Sequence, residues 1–265
     1  EPERFLLVQA AVAVGEGAGH ALAARPGQRA GRLARAARPL VGMPVVFSAL
    51  CWLLPAVHPE PYEYLWLELD RAVFGQDLAR LADGLPRWAV ELLQVDYAAF
   101  YAFCIVAVVL AGRASGRAAF DRATLAMVTG FLLSYLGYLL VPTLSPQLTL
   151  AHETDVQGLW LAPGLRESID AAETNRWDCF PSGHTMMTLV ALIVVRRWAR
   201  RWFWWLLAPG ILLVLSTMLL RYHWAADVVA GALCAWPAVR CCDWLADRDR
   251  WPRPEAGPGK DVTIR

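Results

Sequence analysis

Six apolar runs constrain what this chain can fold into more than anything else in it. They lie at 39–57, 88–111, 122–141, 180–196, 202–220 and 223–241, and a helix needs about 20 mostly apolar residues to cross a bilayer. Composition agrees: 57% of the residues are hydrophobic, 18% are charged, and 13 are tryptophan, which is the make-up of a membrane protein. The expected fold is all-α, a polytopic membrane protein with a six-transmembrane helix bundle over residues 39–245. Residues 1–38 would form an N-terminal peripheral and basic segment, because 5–24 are apolar yet carry Glu16 and His20. Residues 246–265 would form a flexible cytoplasmic tail, being polar and rich in Pro and Gly.

The formal net charge of +1 conceals a segregation that orients the bundle. Segments 25–38, 112–122, 196–201 and 240–265 hold five, three, four and six Lys/Arg, whereas segments 58–87 and 143–178 and position 221 hold three, two and one. The positive-inside rule makes the richer side cytoplasmic. A basic run beside an apolar one suits anionic lipid on that leaflet, so no nucleic-acid partner is expected. In this topology the fourth and sixth runs both start on the extracytoplasmic face, which in a bacterial inner membrane is the periplasmic side.

Two polar motifs sit at those starts. Pro181-Ser182-Gly183-His184 opens the fourth run. Pro181 suits the first helical position, Ser182 brings a hydroxyl, and Gly183 lets backbone approach a ligand closely. The free N–H groups and dipole of a helix start attract an anion, beside which His184 can give or take a proton. His223 and Asp227, at the sixth run, are four apart and would share a helix face. A carboxylate there holds an imidazole in one tautomer and stabilises its cation, as in nucleophilic catalysis. Each motif also has a plain structural reading, as an ordinary helix start and as a buried histidine paired for packing. An ionisable pair inside an apolar run is costly, however, and points to function. The loop at 143–178, long for a compact bundle, is expected to cover the site.

Metal and cofactor chemistry is not expected. Cys51, Cys104, Cys179, Cys234, Cys241 and Cys242 lack metal-ligand spacing and read as free thiols, most of them in apolar surroundings. His152 and Glu153 have no diagnostic spacing either.

Taken together, the two motifs resemble those of the type 2 phosphatidic acid phosphatase superfamily. Its Pro-Ser-Gly-His motif is complete at 181–184. Its third motif, Ser-Arg, five residues, His, three residues, Asp, matches at Ser216, His223 and Asp227 but has Thr217 in place of the arginine. The first motif, Lys, six residues, Arg-Pro, is absent. These departures resemble the inositol phosphorylceramide synthase-like branch, in which a Tyr…Pro…Pro segment replaces it. Tyr138, Pro142 and Pro146 follow that pattern, with Gln147 where arginine is frequent, and Leu69-Asp70 with Phe74-Gly75 is similar to that branch as well.

The resemblance implies a phosphohistidine enzyme acting on a lipid phosphate or phospholipid at the membrane face. His223 would be the nucleophile, Asp227 its orienter, and His184 the acid and then the base. Ser182, Gly183, Arg221, Arg176 and Gln147 would hold the phosphate, the two arginines replacing the missing family cations. Water as acceptor makes a lipid phosphatase and an alcohol makes a head-group transferase. A non-catalytic lipid-binding or transport protein on the same scaffold is the contrasting class. Expected partners are the lipid substrate, the bilayer and, in an oligomer, further copies of the chain.

Overall fold

A computed structural model describes residues 29–252 and 254, apart from 59, 153, 173 and 174, and only the backbone of 29–41. The peripheral helix expected at 5–24, Glu153 and most of the tail expected at 246–265 lie outside the described residues. Among the described residues the chain is all-helical. Helix α1 (Arg29–Val57) begins ten residues before the expected run, inside the basic segment. Helices α2 (Glu63–Phe74) and α3 (Arg87–Ala98) follow, joined through a 3₁₀ turn at Leu78–Gly84.

Helix α4 (Phe100–Leu140) has 41 residues and is interrupted at Ser115 and Gly116. Gly116 has φ 78°, which glycine adopts without steric cost. A straight helix would separate Phe100 from Phe131 by about 46 Å, yet their rings lie 6.2 Å apart. The helix therefore folds back on itself at that turn. The expected run 88–111 is divided between α3 and the first arm of α4, the second arm carries the expected run 122–141, and the basic connector expected at 112–122 shrinks to a two-residue break.

Helices α5 (Pro146–Thr149) and α6 (Ala162–Ala172) are short pieces of the long 143–178 loop. Helix α7 (Gly183–Trp198), a 3₁₀ turn at Arg200–Trp202, α8 (Phe203–Leu219) and α9 (Ala225–Arg248) complete the bundle. Helix α7 is its axis: Met186, Met187, Val190, Ala191, Val194 and Val195 are all buried in the main core, against Phe103, Met127, Leu213 and Ala235 from α4, α8 and α9. Burying α7 on nearly all sides leaves the lipid-facing role to its neighbours. Leu132, Leu136, Ile105, Ile211, Leu233 and Trp236 are exposed apolar side chains on them.

Among the described residues, three helical stretches are long and apolar enough to cross a membrane: α4, Arg200–Leu219 and α9. The six expected spans are thus not all present as separate long helices. Helix α7 has only sixteen residues, and the apolar part of α1, Gly42–Val57, is also short. Long apolar helices with outward-facing Leu, Ile and Trp make this a membrane protein. At the α7–α8 turn, Arg201 lies over the Trp202 ring and Arg197 over Trp198, an arginine–tryptophan collar of the kind found at a bilayer interface.

Candidate active site

Three segments meet at one end of the bundle, each tied to the next by backbone hydrogen bonds. The 141–147 turn meets the stretch before α7 where the Cys179 N–H donates to the Thr143 carbonyl at 3.2 Å. It meets the α8–α9 turn where the Gln147 N–H donates to the Arg221 carbonyl at 3.0 Å. The last two segments close on each other through the Ser182 N–H and the Asp227 carbonyl, 2.9 Å apart. Side chains reinforce this junction. Trp66 of α2 stacks on Phe180 with centroids 4.3 Å apart and donates to the Thr143 hydroxyl, while the Trp224 indole donates to the Leu144 carbonyl. Gly231 belongs to the same junction, because a Cβ there would run into the Ser182 carbonyl.

The junction brings the two histidines together. The rings of His184 and His223 lie edge to face with centroids 5.7 Å apart. His184 sits among aromatics, stacked on Tyr97 at 4.5 Å and against Phe100 at 4.3 Å. Tyr97 also stacks on Tyr222 at 4.2 Å, so the residue before His223 and the ring of His184 share one support. His223 Nδ1 faces Asp227 Oδ2 at 3.6 Å, longer than a hydrogen bond.

The local structures differ from those expected on sequence. Helix α7 starts at Gly183, with Ser182 as its N-cap and Pro181 outside it, so Pro181 is not the first helical residue. The Ser182 hydroxyl accepts the Thr185 N–H at 3.3 Å, the usual task of a serine in that place, and is fully buried. Gly183 is needed for the protein's own packing, since a Cβ would strike the Tyr138 hydroxyl. His223 and Asp227 do not share a helix. His223 lies in the turn before α9 and Asp227 in its first turn, where its Oδ2 accepts the Trp224 N–H at 2.9 Å. The N–H groups of Tyr222 and His223 both donate to the Thr217 carbonyl at 2.9 Å. That double bond closes α8 and sets the direction of the imidazole.

A cavity opens between these segments. His184, His223, Arg176 and Gln147 line it, as do Asn175, Asp170 and Asp178; the last five belong to the 143–178 loop. Arg221 does not line it. Its guanidinium is buried and turned toward α2–α3, donating to Asp83 at 2.6 Å, to the Thr154 carbonyl at 2.8 Å and to the Ala79 carbonyl at 3.3 Å. The backbone of Arg221 adopts φ 70°. Gln147 lines the cavity but is engaged at both ends. Its carbonyl accepts from Arg166 at 2.6 Å and its amide N–H donates to Asp170 at 3.4 Å. Arg176 is exposed and makes no ion pair or hydrogen bond among the described residues.

Four further residues of the site are not among those expected from the sequence. Asp70, buried on α2, accepts the Ala225 and Ala226 N–H groups at 3.0 and 3.3 Å. With Asp227 on Trp224, it satisfies the start of α9. Asn175 is 3% exposed; its Oδ1 accepts the Trp177 N–H at 3.2 Å, which turns Nδ2 away from the backbone, and Nδ2 is buried without a partner. Arg166 covers Tyr222 at 5.1 Å. Burial pushes the Asp178 carboxyl up to about 6, against the pull of His223. Asp178 lies three residues before Pro181 and Asp70 lies in the Leu69-Asp70 pair noted above, which marked the place of each but not its role.

The profile of the PAP2 superfamily matches residues 66–241, the stretch that contains both histidines, Asp227 and Asp70. Phosphatidylglycerophosphatase B of Escherichia coli K12 is 37% identical over 95 residues, covering 32% of this chain and 36% of that protein. The proteins of the same description from Escherichia coli O157:H7 and Shigella flexneri match to the same extent. The chain thus spans about a third of the length of these curated relatives. No solved structure matches it. A profile that covers most of the chain, and with it the whole junction just described, settles the family: the chain belongs to the PAP2 superfamily.

Proposed function

We propose that this protein is a lipid phosphatase that works through a phosphohistidine at the extracytoplasmic membrane face. The observation that carries the reading is the meeting of His184 and His223, 5.7 Å apart, at the start of α7. Asp227 faces Nδ1 of His223, which leaves Nε2 as the nucleophile. Its lone pair would form the N–P bond as the P–O bond to the lipid breaks, and protonated His184 would deliver a proton to the leaving oxygen. Water would then attack phosphorus, give its proton to His184, and release phosphate and neutral His223. General acid–base help of this kind is worth about 10²–10⁴ in rate.

The equatorial oxygens need donors. The Ser182 cap leaves the Gly183 and His184 N–H groups without a hydrogen bond among the described residues, at the positive end of α7. Arg176 supplies the cation, and Asn175 Nδ2 a neutral donor. In this scheme Arg221 and Gln147 act on the turn around the site, and Ser182 acts through the cap. The name of the curated relatives supports a phosphomonoester of a glycerolipid as substrate. The aromatic cradle and the outward apolar faces support a substrate presented from the bilayer.

The test is purified protein in detergent with EDTA and radiolabelled phosphatidic acid or phosphatidylglycerophosphate. Phosphate release is expected, with an acid-labile, base-stable phosphoenzyme on rapid quench. His223→Ala should lose both, and His184→Ala should slow turnover by about 10²–10⁴. Activity retained in His223→Ala would refute the nucleophile. Release that requires an added lipid alcohol, with the phosphoryl or phospho-alcohol group found on that alcohol, would replace phosphatase by head-group transferase. No turnover with any lipid phosphate would favour a binding or transport protein.

A further inference from the structure

We propose that Cys179, His223 and Asp227 form a site for a thiophilic divalent cation of the Zn²⁺ class, and that its occupancy turns the enzyme off. The second half rests on the phosphohistidine reading; the first does not. One ligand atom from each residue lies within 4.8 Å of the other two. The three side chains are 3%, 6% and 0% exposed, so none is a stray surface group.

Two of the three residues present an unanswered polar atom. His223 Nδ1 and Asp227 Oδ1 are both buried and have no hydrogen bond among the described residues, Nδ1 having only the long 3.6 Å approach of Asp227 Oδ2. Buried polar atoms in a folded protein nearly always have one. The other oxygen of Asp227 is already committed to the Trp224 N–H, which holds the carboxylate in place. Cys179 is held too, its thiol donating to the Tyr222 carbonyl at 3.4 Å and its N–H to Thr143. The ligands come from the stretch before α7, the turn before α9 and α9 itself. The bonds that make the junction therefore preassemble the site.

The donor set selects the ion. Sulfur, imidazole nitrogen and carboxylate oxygen suit Zn²⁺ or its analogues, and three protein ligands with one open position is a familiar zinc arrangement. Mg²⁺ demands six oxygen-type ligands in near-ideal geometry and does not fit. On binding, the Cys179 S–H bond breaks, its proton goes to solvent and the thiolate lone pair makes the metal bond. One dication with one thiolate, one carboxylate and a neutral imidazole has no net charge, which a buried site requires. Access is through the cavity that Cys179 and His223 both line, where Asp170 and Asp178 oppose the positive Arg176. A bound cation would occupy the imidazole and the carboxylate that the reaction needs. It would inhibit, not assist.

Co²⁺ added to the purified full-length protein should give, at one equivalent, a sulfur-to-cobalt charge-transfer band with the visible bands of a four-coordinate ion. Cys179→Ser should lose the band, and Cys241→Ser, which removes the exposed cysteine, should keep it. Zn²⁺ should inhibit wild-type turnover, EDTA should restore it, and Cys179→Ser should keep its metal-free rate within a factor of two while needing at least ten-fold more Zn²⁺. Cys179→Ala, and protection of Cys179 from a maleimide by Zn²⁺ in the wild type, examine the same site without relying on serine. Absence of the band in the wild type, or equal Zn²⁺ sensitivity of wild type and both Cys179 variants, would overturn the site. A protein that shows the band yet never turns over a lipid phosphate would keep the metal site and sink the phosphatase.

Discussion

Helices α7 and α9 start side by side at the same end of the bundle, and their starts are finished in opposite ways. Helix α9 is closed by carboxylates: Asp227 takes the Trp224 N–H, and Asp70 takes those of Ala225 and Ala226. Helix α7 is capped by a neutral hydroxyl, Ser182, on Thr185 alone. The two starts carry the same partial positive charge. One is neutralised from within the protein; the other keeps the Gly183 and His184 N–H groups without a hydrogen bond among the described residues, as the proposed phosphate site requires. The contrast teaches that a helix start beside a histidine is not enough for a phosphate site. What matters is whether the protein has already spent the N–H groups.

The most damaging change to this division should be Asp227→Ala. It removes the partner of His223 and opens α9 at once. The expected outcome is a fall of about 10⁴ in kcat, by analogy with the loss of an orienting carboxylate in other nucleophilic sites, with a lower melting temperature from the lost cap. Phosphoenzyme formation followed by rapid quench separates the two effects: a folded protein with an unchanged burst would show that Asp227 serves α9 alone.

Next comes a pair of arginines that the sequence alone treats alike. Arg176→Gln should lower kcat/KM about 10²-fold if its guanidinium meets the transition-state charge. Arg221→Gln should leave the chemistry within about three-fold and act on stability, because it strips the hydrogen bonds of a buried guanidinium to Asp83, Thr154 and Ala79, a loss of about 1–3 kcal/mol. Thermal melting beside steady-state kinetics decides it. The reverse pattern would place Arg221 at the phosphate and Arg176 in solvent.

These two arginines mark the limit of what spacing reveals. Pro181 to His184 and His223 with Asp227 were legible because each motif is a few residues long and its chemistry is local. The convergence of the two histidines was legible from arginine bias, because charge segregation reports on which side a helix starts. The fold-back of α4 was visible as an apolar run on either side of the basic stretch 112–122, though nothing in that stretch marked Ser115 and Gly116 as the turn itself. Asp70 and Asn175 were not legible as site residues. Asp70 reaches α9 across 155 residues of sequence, and the role of Asn175 follows from where its amide oxygen points. Arg221 misled for a related reason: proximity to His223 in sequence says nothing of Asp83, which holds it from 138 residues away. The Cys179, His223 and Asp227 cluster escaped any search for ligand spacing because its members belong to three elements.

Asp70→Ala is the direct attack on the closed start. Two N–H groups at the head of α9 would lose a buried carboxylate, worth about 1–3 kcal/mol in stability for the acceptor lost. The fall should appear in thermal melting and in hydrogen exchange confined to the first turn of α9, with kcat of the folded fraction reduced less than in Asp227→Ala. Anion binding gained at α9 in this variant, measured by chloride or phosphate protection against melting, would sharpen the contrast further: it would show that the carboxylate alone was keeping that start from behaving like α7.

Asn175→Ala should have the smallest effect and the most informative form. Its Oδ1 is fixed by Trp177, so Nδ2 points where no backbone acceptor meets it, at the wall of the cavity that holds both imidazoles. A neutral donor to phosphate contributes about 1 kcal/mol net, so kcat/KM should fall about five- to ten-fold. The side chain is buried, and a structural role would instead lower stability without touching kinetics. Asn175→Asp separates the two: it keeps the shape and the bond to Trp177, and replaces the donor by an acceptor that repels phosphate. It should be worse than alanine in kcat/KM and no worse in melting temperature. Equal kinetics for wild type, Asn175→Ala and Asn175→Asp would remove Asn175 from the phosphate and return the whole burden of the open start to Arg176 and the two N–H groups of α7.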